Sequence, residues 1–255
     1  MQQLQPHPDQ VPGIRFDAGR HSRAKIGYVL LATEQTIPDD VYKIVPPGVG
    51  VHFARAPIPD SITVDTLAAQ ASELGTAAAT ILPDGSLDVV CYACTSGSLV
   101  IGEERVFHEL NTGAPNAKAT SLITSVIRAL NAFGSSRLAI ATPYLDEINR
   151  MEADYLKYAG FETINIQGMN IERDSDMVKV APDFIKEFAQ AADRADADTL
   201  FISCGALRSL DIVEELEQAV GKPVITSNQA MIWDTLRLAG IDDKIEGYGR
   251  LFREF

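Results

Sequence analysis

From Ala24 onward, short apolar runs alternate with amphipathic stretches, and this alternation predicts βα units around a parallel sheet. The expected strands are KIGYVLLA from Lys25, VGVHFARAPI from Val49, DVVCYAC from Asp88, RLAIATP from Arg137, TINIQGM from Thr163, TLFISC from Thr199 and KPVITS from Lys222. Most lead into a run of helical period, as a strand covered on both faces by crossover helices requires. The helix within SITVDTLAAQASELGTAAATIL is expected to open at Ser61 or Thr63, whose hydroxyls can cap free amide groups. In SLDIVEELEQAVGKP, Ser209 can cap, acidic residues occupy the early turns, and Gly221 with Pro223 ends the helix. Residues 1 to about 22 are rich in Pro and Gln, show no period, and are expected to form a loose arm.

The pattern also repeats. KIGYVLLAT from Lys25 and RLAIATPY from Arg137 each lead a basic residue into an apolar strand and then into polar residues. DVVCYACTSGS and TLFISCGALRS each run strand, cysteine, small residues, and the stretch from Lys25 to Arg137 is nearly as long as that from Cys94 to Cys204. The chain is therefore expected to fold as two similar α/β halves, each presenting a cysteine at the carboxyl end of a strand, where open α/β sheets bind ligands. We assign residues 23–133 with 226–255 to the first half and 134–225 to the second.

Length and composition narrow the setting. At 255 residues and 46% hydrophobic, the chain is large enough for one large α/β domain or two modest ones. Three cysteines are too few, and odd in number, for a disulfide framework, which points to a reducing cytoplasm. The opening residues lack the apolar stretch of a secretory signal, and no apolar run approaches the roughly 20 residues of a membrane-spanning helix. A soluble protein with no membrane partner is expected. The formal charge of −13 disfavours nucleic acid, whose phosphates need clustered Lys and Arg. An anionic substrate would be recognised by local hydrogen-bond donors and not by the overall field.

The cysteines carry the candidate chemistry. A thiol at the end of a strand, just before a helix, lies near free amides and the positive end of the helix dipole, both of which lower its pKa. If the halves face each other, Cys94 and Cys204 approach one cleft. Two thiols across a carbon centre can remove a proton from one face and return it to the other. Alternatively, one thiolate adds to an activated double bond, and the adduct rotates before elimination. Thr95 and Ser96 can donate hydrogen bonds to a carboxylate or an enediolate, Gly205 permits close backbone approach, and Tyr144 can donate to the same oxygens. Against this, free cysteine usually packs in cores, as Cys91 is expected to do.

Cys91 and Cys94 also form a C-x-x-C, yet strand alternation sends them to opposite faces, unlike a thioredoxin-type pair. A zinc site would need four ligands, and His21, His52 and His108 do not sit at a recognisable ligand spacing. No metal or cofactor is expected, and His52 and His108 read as structural or surface residues. Gly48-x-Gly50 leads into a strand and reads as a turn, while ADRADADT reads as the solvated end of a helix.

Taken together, CTSGS, ATPYLDEIN, SCGALRSLD and GYGRLF resemble the Asp/Glu racemase superfamily, in its branch of maleate cis-trans isomerases and arylmalonate decarboxylases, from about Ala24 to Phe255. The resemblance implies two Rossmann-like α/β halves with parallel sheets related by pseudo-twofold symmetry, an active site between them, and no cofactor. It implies that Cys94 and Cys204 are catalytic and that Thr95, Ser96, Tyr144 and Gly205 hold the substrate carboxylate. Decarboxylases of the branch carry glycine at the first cysteine position, so two thiols favour racemase or isomerase chemistry.

Two positions depart from the pattern. In LATEQT, Glu34 stands where maleate isomerases read PSSNTT with a substrate-binding asparagine, and Arg173 in NIERDSD stands near a second such asparagine. A carboxylate at Glu34 would repel a second substrate carboxylate and suit an ammonium or amide group; otherwise Glu34 is a solvated loop residue. LATEQTIPDD followed by GVGVHF is similar to the ectoine-utilisation members of the superfamily, which implies a diaminobutyrate derivative. The first expectation is thus a cofactor-independent racemase or epimerase of a small amino-acid-like carboxylate. The alternatives are maleate-type cis-trans isomerisation through a covalent Cys94 adduct, arylmalonate-type decarboxylation, and a non-catalytic binding protein. The expected partners are a small carboxylate substrate and further copies of the chain in a homo-oligomer.

Overall fold

The computed structural model describes residues 13–255; most of the arm expected over 1–22 lies outside the described residues. Four strands, β1 (Ala24–Leu31), β2 (Val49–Ala56), β3 (Val89–Tyr92) and β4 (Lys118–Ser121), form a parallel sheet in the order β2-β1-β3-β4. Four more, β5 (Arg137–Thr142), β6 (Glu162–Gly168), β7 (Thr199–Ile202) and β8 (Val224–Thr226), form a second parallel sheet in the order β6-β5-β7-β8. The two orders are the same, so β3 and β7 hold equivalent places, and the internal repeat of the sequence is a repeat of topology. Every residue of β1 except Lys25 is buried, because helices cover both faces of the sheet. Its continuous apolar run is the sequence signature of that double burial.

The helices of the first part are α1 (Ile37–Ile44), α2 (Val64–Ala69), α3 (Ala71–Ala79), α4 (Thr95–Ile101), α5 (Glu103–Gly113) and α6 (Leu122–Phe133). Those that follow are α7 (Asp146–Tyr158), α8 (Asp174–Met177), α9 (Pro182–Ala192), α10 (Val213–Val220), α11 (Ser227–Leu238) and α12 (Arg250–Glu254). Thr63 caps α2 in a box closed by Thr66, and the long helical pattern that follows is divided at Gln70 into two helices. Ser209 does not cap: a 3-10 turn over Leu210–Ile212 intervenes, and α10 begins at Val213. Gly221 ends α10 in the left-handed region at φ 68°, as its position after the last apolar residue predicts.

Strand β4 is absent from the sequence expectation. Its residues, KATS, have no apolar run, and its pairing with β3 and the burial of Thr120 and Ser121 identify it only in three dimensions. Ser121 ends β4 and its hydroxyl caps α6 at Thr124 N.

After completing the second sheet, the chain returns to the first. α11 packs along α6; Thr235 and Tyr28 share a hydrogen bond of 2.8 Å between hydroxyls. Asp234 Oδ2 accepts from Thr120 Oγ1 at 3.0 Å, Ser125 Oγ at 2.9 Å and Arg128 Nη1 at 2.9 Å. Among the described residues no helix is long and apolar enough to cross a membrane. In each sheet, consecutive strands leave the first one on opposite sides, and the loops that diverge there open a crevice at the carboxyl edge.

Candidate active site

The crevice is filled from both sheets. Ala93 still donates its N–H to Val29 O on the neighbouring strand, and Cys94, in extended conformation, is the N-cap of α4. Its Sγ accepts from Gly97 N at 3.2 Å and lies 3.7 Å from Ser96 Oγ. Gly97 has to be bare: a Cβ there would fall 2.2 Å from Tyr92 Oη and 3.0 Å from Cys94 Sγ. Cys91 packs in the core on the other face of the sheet, and all three cysteines are free thiols.

From the second sheet, Ser203 bonds Ala141 O and Cys204 follows with φ +96°, a left-handed conformation that side chains rarely adopt. Ser227 holds it there: its Oγ accepts from Cys204 N at 3.0 Å and is 3.0 Å from Thr95 Oγ1. One hydroxyl from α11 thus joins the two cysteine corners. Gly205 closes the turn where a Cβ would meet Ile37 Cδ1 at 2.9 Å, and Asn228 Nδ2 donates to Gly205 O at 2.8 Å.

Cys94, Thr95, Ser96, Tyr144, Cys204, Gly205 and Glu34 line one small pocket. Arg173 does not join them. It is exposed, with its Nε donating to Asp60 at 2.7 Å, and the residue that reaches the pocket is its neighbour Asp174. Glu34 is not a solvated loop residue: it is 4% exposed, and its Oε1 accepts from Ile37 N at 2.9 Å and from Thr36 N, capping α1. Asp174, 3% exposed, accepts from the Thr33 hydroxyl.

Burial governs the ionisation of the site. It pushes the Cys94 thiol up to about 11, against the lowering effect of the Gly97 N–H and Ser96 hydroxyl, with Asp174 adding to the rise. The sequence expectation of a depressed thiol pKa is therefore corrected, because enclosure and the nearby acid outweigh the helix start. Cys204 stands well above the ordinary thiol range, first from burial and then from Asp174; no helix begins beside it. Tyr144 is buried with its hydroxyl beside Cys204 and is likewise raised, chiefly by burial. Glu34 is pushed up to about 7 by burial, and Asp174 is raised by the same cause.

Three contributors escaped the sequence reading. Ser227 opens a helix in ITSNQA, a position that only reveals its role once β8 is seen beside β7. Asp174 lies in a charged run that resembles any solvated turn. Glu152, fully buried behind Cys204, accepts from Ser203 Oγ at 2.6 Å and is pushed up to about 7 by burial.

Comparisons with known proteins agree on a family. The arylmalonate decarboxylase family model matches residues 48–252. The arylmalonate decarboxylase of Bordetella bronchiseptica is 36% identical over 149 residues, a match spanning 56% of this chain and only 60% of that relative. The maleate isomerase of Nocardia farcinica is 26% identical over 181 residues, covering 68% of this chain and 72% of the relative. Among solved structures, a mutant of arylmalonate decarboxylase in the liganded form superposes with a TM-score of 0.83 at 27% identity, covering 91% of this chain and 100% of that one. The Nocardia farcinica maleate cis-trans isomerase, solved as a mutant with a covalently bound succinylcysteine intermediate, gives 0.83 at 23% identity and covers 91% of this chain and 99% of its own, a likeness of fold.

Proposed function

The chain belongs to the arylmalonate decarboxylase family, and on that premise we propose that it is a cysteine-dependent enzyme that isomerises the double bond of a small unsaturated carboxylate. The observation that carries this reading is the convergence of two thiols, from equivalent strand ends, on one small pocket with hydroxyl donors beside them. The Cys94 thiolate adds to one alkene carbon, forming a C–S bond while the π pair moves toward the carboxylate as an enediolate. Cys204 gives its proton to the adjacent carbon, leaving a saturated adduct. Rotation about the new single bond follows. Cys204, now a thiolate, takes a proton back, the double bond re-forms, and the C–S pair returns to Cys94.

Thr95, Ser96 and Tyr144 line the same pocket, and in this reading their hydroxyls donate to the carboxylate as charge builds on it. Support for addition comes from the maleate isomerases among the relatives and from the cysteine adduct of the Nocardia farcinica protein. These relatives favour addition over the racemisation ranked first from the sequence, and they lend nothing to a role in ectoine use. With both thiols present, decarboxylation stands behind isomerisation.

The test is conversion of cis to trans alkenoic acids followed by NMR, with intact-mass measurement. Cys94→Ala is expected to lose at least a thousandfold in kcat, and Cys204→Ala to accumulate a substrate-mass adduct on Cys94. Full turnover by Cys94→Ala would overturn the mechanism.

A further inference from the structure

The pocket contains two acids that the isomerisation scheme does not use. Glu34 and Asp174 both line it, are at least nine-tenths buried, and come from different parts of the chain, the loop after β1 and the start of α8. Each leaves one oxygen without a side-chain donor. Glu34 Oε1 takes the backbone N–H groups of Thr36 and Ile37 at the start of α1, while Oε2 takes none from a described side chain. Asp174 Oδ2 takes the Thr33 hydroxyl, while Oδ1 accepts from no described side chain. Among the described residues no Lys, Arg or His lines the pocket. Two neighbouring cations already have partners: Arg173 donates to Asp60, and Arg55 Nη1 donates to the carbonyls of Leu31, Ala32 and Glu34.

We propose that Glu34 and Asp174 form an acid pole that selects a monocarboxylate substrate bearing an ammonium group at the end away from its carboxylate. This rests on the two-thiol reading of the pocket and names the substrate class for it. A dicarboxylate would place its second anion against two acids, with no cation among the described lining residues to offset them. An ammonium presents donors to these two oxygens, and it restores to buried carboxylates the partner that burial demands. The hydroxyls of Thr95 and Ser96, beside Cys94, remain for the substrate carboxylate.

The experiment uses thiol labelling and needs no substrate. Methanethiosulfonate reagents carrying an ethylammonium, a methyl or an ethylsulfonate group are reacted with the full-length protein at pH 7.5. Each rate is divided by that for 2-mercaptoethanol, and the labelled cysteine is located by peptide mass. The normalised ammonium-to-sulfonate ratio at Cys94 or Cys204 is expected to be about tenfold or more, and to fall several-fold in Asp174→Asn and in Glu34→Gln. A change in thiol pKa in these variants alters all three rates together and cancels in the ratio. Should Glu34→Gln fail to fold, Asp174→Asn and the wild-type ratio decide the matter. A ratio near one, a ratio unchanged in folded variants, or no labelling by the ammonium reagent would overturn the proposal. Because labelling is read without turnover, an acid pole with no isomerase activity would sink only the reaction, and isomerase activity without charge selection would sink only the pole.

Discussion

A thiol held near 11 is a scarce thiolate at neutral pH, and the rate of a reaction that begins with that thiolate follows its abundance. kcat/KM is therefore expected to rise about tenfold per pH unit from pH 8 to pH 10 and to level only near the thiol pKa; a flat profile over that range would show that Cys94 is not the free-enzyme nucleophile. Glu152 makes a stability prediction of opposite sense. Its folded pKa of about 7 lies above the ordinary value of 4.5, so between those pH values the folded protein binds the proton that the unfolded chain has lost. Its contribution is full below pH 4.5 and is lost as pH rises through 7. Glu152→Gln should then gain on the wild type by up to about 3 kcal/mol on going from pH 5 to pH 8, measured by urea unfolding at both. At this scale the sequence was readable where residue type and strand position decide, as in the meeting of Cys94 and Cys204 at one pocket. It was not readable where the direction of a side chain decides, as for Arg173 and Asp174, adjacent residues of which one reaches Asp60 at the surface and the other the pocket.

Elements place these side chains, and the turn from β3 into α4 shows how closely. With Tyr92 Oη and Cys94 Sγ both in the way of a Cβ at position 97, Gly97→Ala should displace the thiol and lower kcat at least tenfold, at a stability cost of about 1–3 kcal/mol. Adding Tyr92→Phe removes the nearer obstacle and is expected to restore part of both, which a general loss of folding would not allow. Strands buried on both faces were legible as continuous apolar runs, and β1, β3, β5 and β7 follow those runs. β4 was not, because three of its four residues are polar and its place at the sheet edge comes from pairing with β3. Ser209 shows the same limit for caps: a serine before an amphipathic run satisfies the local rule, yet the chain first needs the turn over Leu210–Ile212 to leave the Cys204 corner.

For the molecule as a whole, the two-sheet plan was visible in the internal repeat, since equal spacing of like strand ends follows from equal topology. What joins the sheets was not visible, because Asp234 and Ser227 act through partners far along the chain. Asp234→Ala leaves two buried hydroxyls and the Arg128 guanidinium without the Asp234 acceptor, and should lower stability by about 2–4 kcal/mol in denaturant unfolding; a loss below 0.5 kcal/mol would show that this network does not hold α11 in place. The return of α11 to the first sheet also sets an order of events during synthesis. A ribosome delivers β1 to β4 and their helices long before Ser227–Leu238 emerges, so the earliest sheet waits, with its α6 face uncovered, while the second is made. Because Ser227 is also the hydroxyl between Thr95 and Cys204, the same late segment that covers that face joins the two cysteine corners, and a nascent chain lacking it has neither.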